Sequence, residues 1–220
     1  MDYVNQYLDN LPNLYYTLIC TIPTITYFAS VKFYLRYHQD DRLPNKKYII
    51  DSSKNMIGTS FGNYFLVYPA FNIFSNVNSF SFLMIFMGCL LIDTLEYWYH
   101  YLFHYNKYLY NKYHVNHHTP FPVHPKISFA NDDTEAIGTS LIIVLMTIYL
   151  QFSFIEYIII SSLSFAATVC DHTCTSKNKF HYLHHCGDKK TNFQQPFFTF
   201  WDHINNTYNK KTITKIPFVP

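Results

Sequence analysis

Apolar, aromatic runs alternate with polar stretches along this chain. Residues 11–35, 57–76, 79–99 and 136–170 are apolar, and 1–10, 36–56, 105–135 and 171–220 are polar. About twenty apolar residues in a helix match the thickness of a bilayer core, and backbone within lipid must satisfy its own hydrogen bonds. Pro23 lies inside the first run, where a buried proline kink is tolerated. That run reads as a span, the competing reading being a buried core helix of a soluble protein. Gly58, Gly62 and Pro69 interrupt the second run, which reads either as a span or as an interfacial segment. Gln151 and Ser153 divide the last tract and predict a hairpin of two helices, each shorter than a straight crossing needs. Pro120, Pro122 and Pro125 break any long helix in 105–135, and Pro44-Asn45 marks a turn in the 36–56 connector. The pattern predicts an all-α integral membrane helical bundle of about four to five membrane-embedded helices in a single domain, 1–220.

Charge gives the bundle a direction. Lys32 closes the first run, and the other fifteen of the sixteen basic residues fall in 36–56, 105–135 and 171–220. None lies in 1–10, at 77–78 or near Gln151. Five crossings with the N-terminus outside place every basic loop on one side, which the positive-inside rule makes cytosolic. Residues 1–10 contain no Lys or Arg, so a cleaved signal peptide is not expected.

Composition agrees with a membrane protein: charged residues make up only 14% and aromatics 20%. A formal charge of +2 gives no reason to expect a nucleic-acid partner. The five cysteines, Cys20, Cys89, Cys170, Cys174 and Cys186, are odd in number and follow no secreted disulfide pattern. Cys20 and Cys89 read as small buried hydrophobes, and Cys170, Cys174 and Cys186 as an alternative thiol site for zinc.

Histidine placement carries the chemistry. Ten of the twelve histidines fall in 100–124 or 172–185, whereas isolated His38 reads as structural. His100 and His104 stand at i and i+4, one turn apart on a helix face. His114-Val-Asn-His117-His118 and His181-Tyr-Leu-His184-His185 share a second spacing, in which the first residue lies near both others. With His172, nine imidazoles are placed to bind metal: His100, His104, His114, His117, His118, His172, His181, His184 and His185. Two ions could share them at about four or five nitrogens each, and imidazole suits iron, zinc, copper and nickel alike. His124 is a further candidate ligand. Asp93, Asp171 and Asp202 are candidates to accept the second N–H of a metal-bound ring, with helix capping as the simpler role. Glu96 and Glu156 pose the same question of a carboxylate in an apolar run. Trp98 and Trp201 read as interfacial anchors.

The order of these motifs resembles the fatty acid hydroxylase and sterol desaturase superfamily. The resemblance covers 93–208. It takes in Asp93-x-x-x-Tyr97-Trp98-x-His100, the three histidine clusters, Asp171-His172, Asn192-Phe193, Trp201-Asp202 and Thr207-Tyr208. Tyr101 stands where members often have Arg, Ala130 to Glu135 stand near the place of a frequent His-Pro, and the glycine usual before the final Tyr is missing. The closing segment leans toward the sterol-desaturase branch. The resemblance implies two iron ions, replaceable by zinc on purification, which with dioxygen hydroxylate or desaturate a C–H bond of a sterol or fatty-acyl lipid. It further implies an endoplasmic reticulum membrane, a metal site facing the cytosol, and a b-type cytochrome with an NAD(P)H reductase as electron donors. The chain itself carries no Gly-rich dinucleotide fingerprint and no haem-attachment motif. Competing readings are a membrane metal transporter, which would favour ligands near mid-membrane, and a non-catalytic zinc-binding membrane protein.

Overall fold

The computed structural model describes residues 2–38, 43–74, 80–120, 123–173, 180–193 and 197–209. Among them every regular element is helical and no strand occurs. Cys174, Pro122 and the turn at 77–78 lie outside the described residues, as do the side chains of Cys20 and His38.

Helix α1 (Asp2–His38) and α2 (Lys46–Phe74) are long enough to cross a bilayer. Three further helices are both long and apolar enough by composition: α3 (Phe82–Tyr105), α6 (Asp133–Leu150) and α7 (Phe154–Asp171). Packing is membrane-like, because large apolar side chains such as Phe82, Leu83, Leu145 and Tyr149 face outward.

Helix α1 packs on α7 and α2, α2 on α6, and α3 on both α6 and α7. Tyr27, Val31, Met56, Phe165 and Val169 form one buried cluster. Ile92, Met146, Phe152 and Ile160 form another, which locks α3 to the α6–α7 hairpin. Gly88 allows that approach, since a Cβ there would meet Ile160 Cδ1 at 2.6 Å and Phe152 Cζ at 2.8 Å.

The hairpin turns where the sequence predicts. Gln151 ends α6 in the left-handed region at φ 51°. Ser153 and Glu156 form a capping box at the start of α7. Glu156 also accepts the Ser81 backbone N–H at 2.7 Å, which ties α7 to the start of α3. This carboxylate is a structural cap.

The expected polar connector over 36–56 is helical from Lys46 onward. Its polar residues face another polar segment, which periodicity against lipid does not reveal. Ser52 Oγ accepts the Phe129 N–H at 3.0 Å. Asn55 Nδ2 donates to the carbonyls of Phe129 at 3.1 Å and Asn131 at 2.7 Å. These bonds hold the 125–131 loop against α2.

A smaller cap covers one end of the bundle. Beyond α3, α4 (Lys107–Leu109) passes through a π-helical turn (Tyr110–His114) into α5 (Val115–His118), and a 3₁₀ turn (Pro125–Ile127) follows. Helices α8 (Phe180–Cys186) and α9 (Phe200–Ile204) close the cap. Trp201 is half-buried against it. Its Nε1–H donates to Thr94 Oγ1 at 3.0 Å, and its ring meets Trp98 with centroids 5.5 Å apart.

Candidate metal centre

The last two turns of α3 present His100 and His104 to the cap, and the π turn and α5 present His114, His117 and His118. The i→i+5 bond from Val115 N–H to the Tyr110 carbonyl widens the helix just ahead of this motif. Such π-bulges recur at functional sites. His172 caps α7, and α8 carries His181, His184 and His185.

These nine rings gather into two neighbouring groups. His100, His104, His114, His118 and His184 have nitrogens mutually within 4.8 Å, as do His117, His172, His181 and His185. The groups touch, with the ring centroids of His118 and His185 4.4 Å apart. Each His-x-x-His-His motif is divided between them. Its first and last histidines enter one group and its middle histidine the other, so each short helix serves both. Adjacent helical positions differ by about 100° in direction, which aims the last two rings apart.

Backbone and carboxylate acceptors fix the rings from behind. Nδ1 of His100 donates to the Phe193 carbonyl at 3.0 Å, and Nδ1 of His184 to the Thr191 carbonyl at 2.7 Å. Nδ1 of His172 donates to the Thr168 carbonyl at 2.7 Å, and Nδ1 of His114 to Glu135 Oε1 at 2.5 Å. In each neutral ring the proton is thereby on Nδ1 and the Nε2 lone pair faces the group.

That arrangement is unfavourable without a cation. Nε2 of His104 lies 2.9 Å from that of His114, 3.0 Å from that of His118 and 3.0 Å from that of His184. The His114 and His184 lone pairs both converge on it, and it has at most one proton to offer. Nε2 of His100 and of His172 are buried with no hydrogen-bond partner. A buried acceptor left unmade costs about 1–3 kcal/mol, so the set calls for a cation. Nitrogens about 2.1 Å from one ion stand about 3.0 Å apart at right angles and about 3.4 Å apart in a tetrahedron. In the five-ring group the shortest Nε2 spacings, 2.9–3.2 Å, are those of nitrogens close enough to share one ion. The nitrogen donor set therefore fits a pair of metal ions.

Electrostatics keep the rings ligand-ready. Burial, followed by the charge of neighbouring imidazoles, drives His114, His117, His118, His181 and His185 well below the ordinary imidazole value. His184 is lowered for the same reasons. Burial pushes His172 down to about 4. Neutral imidazole is the form that binds metal.

The other candidate residues fall elsewhere. His124 belongs to neither group; its Nδ1 accepts the Lys126 N–H at 3.1 Å as the cap of the 3₁₀ turn. An accepting Nδ1 places the neutral ring's proton on Nε2, leaving no free lone pair for a metal. Asp93 accepts the backbone N–H groups of Phe197, at 3.0 Å, and Phe198, which pins that segment to α3. Asp202 Oδ1 accepts from Phe193 N at 3.0 Å and from Thr207 Oγ1 at 2.6 Å. It reaches the histidines at one remove, through Phe193, whose carbonyl holds His100. Asp171 ends α7 beside His172 and is partly buried. Among the described residues neither nitrogen group includes a cysteine.

Glu135, in the first turn of α6, is the carboxylate that directly holds a clustered histidine, and sequence reasoning passed over it. The available signal was a carboxylate entering an apolar helix, which is costly unless partnered.

Residues 85–207 match the fatty acid hydroxylase family, which covers more than half of the chain, and the protein belongs to that family. It is similar to the sphingolipid C4-hydroxylase of Schizosaccharomyces pombe, 32% identical over an alignment of 145 residues, with 56% of this chain and 47% of that protein covered. It is also similar to the sphingolipid C4-hydroxylase of Saccharomyces cerevisiae, 32% identical over 145 residues, 58% of this chain and 40% of that protein. The match thus spans less than half the length of either relative. No solved structure matches the chain.

Proposed function

We propose that this chain is the catalytic part of a membrane lipid hydroxylase, with the region 93–208 holding two iron ions through nine histidines. His100, His104, His114, His118 and His184 hold one ion, and His117, His172, His181 and His185 the other. The observation that carries this reading is the pair of adjacent imidazole groups whose buried lone pairs face inward. Bound there, the ions would supply dioxygen activation and removal of hydrogen from an alkyl C–H bond.

The chain's own residues perform the positioning. Glu135 and the carbonyls of Phe193, Thr191 and Thr168 fix tautomer and ring direction, as acceptors behind metal-bound histidines do. Burial keeps the rings neutral. The resemblance to two sphingolipid hydroxylases favours hydroxylation over desaturation, and a sphingolipid over a sterol. Converting a C–H group and dioxygen to an alcohol and water consumes two electrons and two protons. Those electrons would come from a b-type cytochrome and its NAD(P)H reductase. Basic loops on one side support a metal centre facing the cytosol, in the endoplasmic reticulum membrane.

The test is purified protein in lipid, assayed for metal content and for oxygen-dependent product from long-chain sphingolipids with a chemical reductant. The proposal expects two irons per chain and a hydroxylated product. Stoichiometric zinc with no turnover would favour a non-catalytic zinc protein.

A further inference from the structure

The cap concentrates positive charge on an exposed face beside the five-ring histidine group. No Asp or Glu occurs between 97 and 131, and 172–201 contains only Asp188. Asp188 is held in its own turn, where Oδ1 accepts the Lys190 N–H at 3.0 Å. Lys107, Lys112, Lys189 and Lys190 are all exposed. Lys189 Nζ donates to the Tyr110 hydroxyl at 3.0 Å, and Lys190 Nζ lies 5.8 Å from the centre of the Tyr105 ring. Lys112 Nζ donates to the Tyr108 hydroxyl at 3.0 Å. The turn at Asp188 to Lys190 and the segment from Tyr105 to Lys112 therefore form one basic, aromatic face. Ammonium groups attracted to the rings keep their charge in a fixed place.

That face is one side chain away from the clustered rings. Tyr110 is half-buried, and its ring centroid lies 5.2 Å from that of His104, 5.9 Å from that of His118 and 6.0 Å from that of His114. All three belong to the five-ring group. The Tyr110 hydroxyl meanwhile reaches Lys189 at the surface. His100, His114 and His184 are buried, so a macromolecule seated on this face meets Tyr110 before it meets those rings. The proposed hydroxylation consumes two electrons, and the chain carries no dinucleotide or haem motif of its own. A fixed positive face steers negatively charged proteins toward it. One that ends on an aromatic contact to the histidines suits a partner bringing electrons and negative charge together. A membrane surface would use the charge but not the tyrosine.

We propose that the face formed by Lys107, Lys112, Lys189 and Lys190 docks an acidic one-electron carrier protein, and that Tyr110 bridges the gap between that carrier and the five-ring group. Electrons then enter beside His104, His114 and His118 and not at the four-ring group. Each docking oxidises the carrier by one electron and reduces the metal pair by one. No bond forms or breaks in that step, and two dockings supply the two electrons that each alcohol consumes. Tyr110 keeps its own electrons and its proton; its ring takes the place of water in the gap. That the docked protein is a reductant rests on the lipid-hydroxylase reading, whereas the docking itself rests on the surface alone.

The experiment uses the iron-loaded protein in phosphatidylcholine nanodiscs, with the soluble haem domain of an acidic b-type cytochrome as the probe. Docking is read by biolayer interferometry between about 0.05 and about 0.2 M salt. Electron transfer is read from the haem absorbance after anaerobic mixing with the reduced probe. Reversing both charges, Lys189→Glu with Lys190→Glu, weakens docking by about tenfold and flattens its salt dependence. The same reversal at the start of α2, Lys46→Glu with Lys47→Glu, leaves docking unchanged. Tyr110→Leu keeps docking and the iron count but slows electron transfer several-fold, and Tyr110→Phe restores the rate. Docking untouched by the Lys189 and Lys190 reversal, as for a face that serves anionic lipid, overturns the inference. So does equal loss from both pairs of reversals, or a Tyr110→Leu rate equal to that of the native protein. Charge-sensitive docking with no electron transfer into the native protein would sink the hydroxylase reading and leave the docking surface standing.

Discussion

Glu135 Oε1 lies 2.5 Å from Nδ1 of His114, joining the first turn of α6 to the last residue of the π turn. Both residues are buried. The bond sets the tautomer of one clustered imidazole and fixes the cap on the bundle at the same point.

Under the proposed ligand assignment, replacing Glu135 should weaken metal binding without removing a ligand. Loss of such a partner typically costs about 10–100-fold in metal affinity. Glu135→Ala should fall in that range, and Glu135→Gln, which keeps an acceptor oxygen, should fall less. Competition with a chromophoric chelator measures both, and wild-type affinity in the Ala variant would refute the role.

The division of each His-x-x-His-His motif gives a sharper expectation. His184→Ala should deplete the ion held by the five-ring group, and His117→Ala the ion held by the four-ring group. Each variant should retain about one ion, insert normally into membranes and form no product. Full activity in both would contradict the ligand assignment.

Acid should destabilise the metal-free protein. The folded-state value of His172 is lowered to about 4 from an ordinary 6.5, and the other clustered rings outside the spans are lowered as well. Between those values the unfolded chain binds protons that the folded chain does not, so stability falls as pH drops from about 6.5 toward 4. Thermal unfolding of metal-free protein across that range checks the sign. A midpoint that rises on acidification would show that the rings are not buried neutral.

Asp202 should act on one ion through the backbone. Asp202→Ala leaves the Phe193 N–H and the Thr207 hydroxyl without their shared acceptor. It frees the backbone of Phe193, the residue whose carbonyl holds His100. A loss of about 1–3 kcal/mol in stability is expected. The weakened metal affinity should be confined to the five-ring group. Equal loss from both groups would mean that the substitution acts by general unfolding.

Much of this was legible in the chain. The apolar runs over 79–99 and 136–170 give α3 and the α6–α7 hairpin, because Gln151 and Ser153 interrupt an otherwise lipid-compatible tract. The i, i+4 spacing of His100 and His104 signals a shared face. The helical start of α2 was hidden, since Ser52 and Asn55 bind a polar loop and not the core. The split of each triple-histidine motif needs the two short helices placed opposite one another. The acceptors behind His100, His172 and His184 are backbone carbonyls, which no side-chain pattern can announce.

Anomalous scattering at the iron edge from the iron-loaded protein tests the central claim most directly. Two peaks are expected, one within bonding distance of nitrogens from His100, His104, His114, His118 and His184, the other beside His117, His172, His181 and His185. A single peak, or metal bound away from these rings, would contradict it.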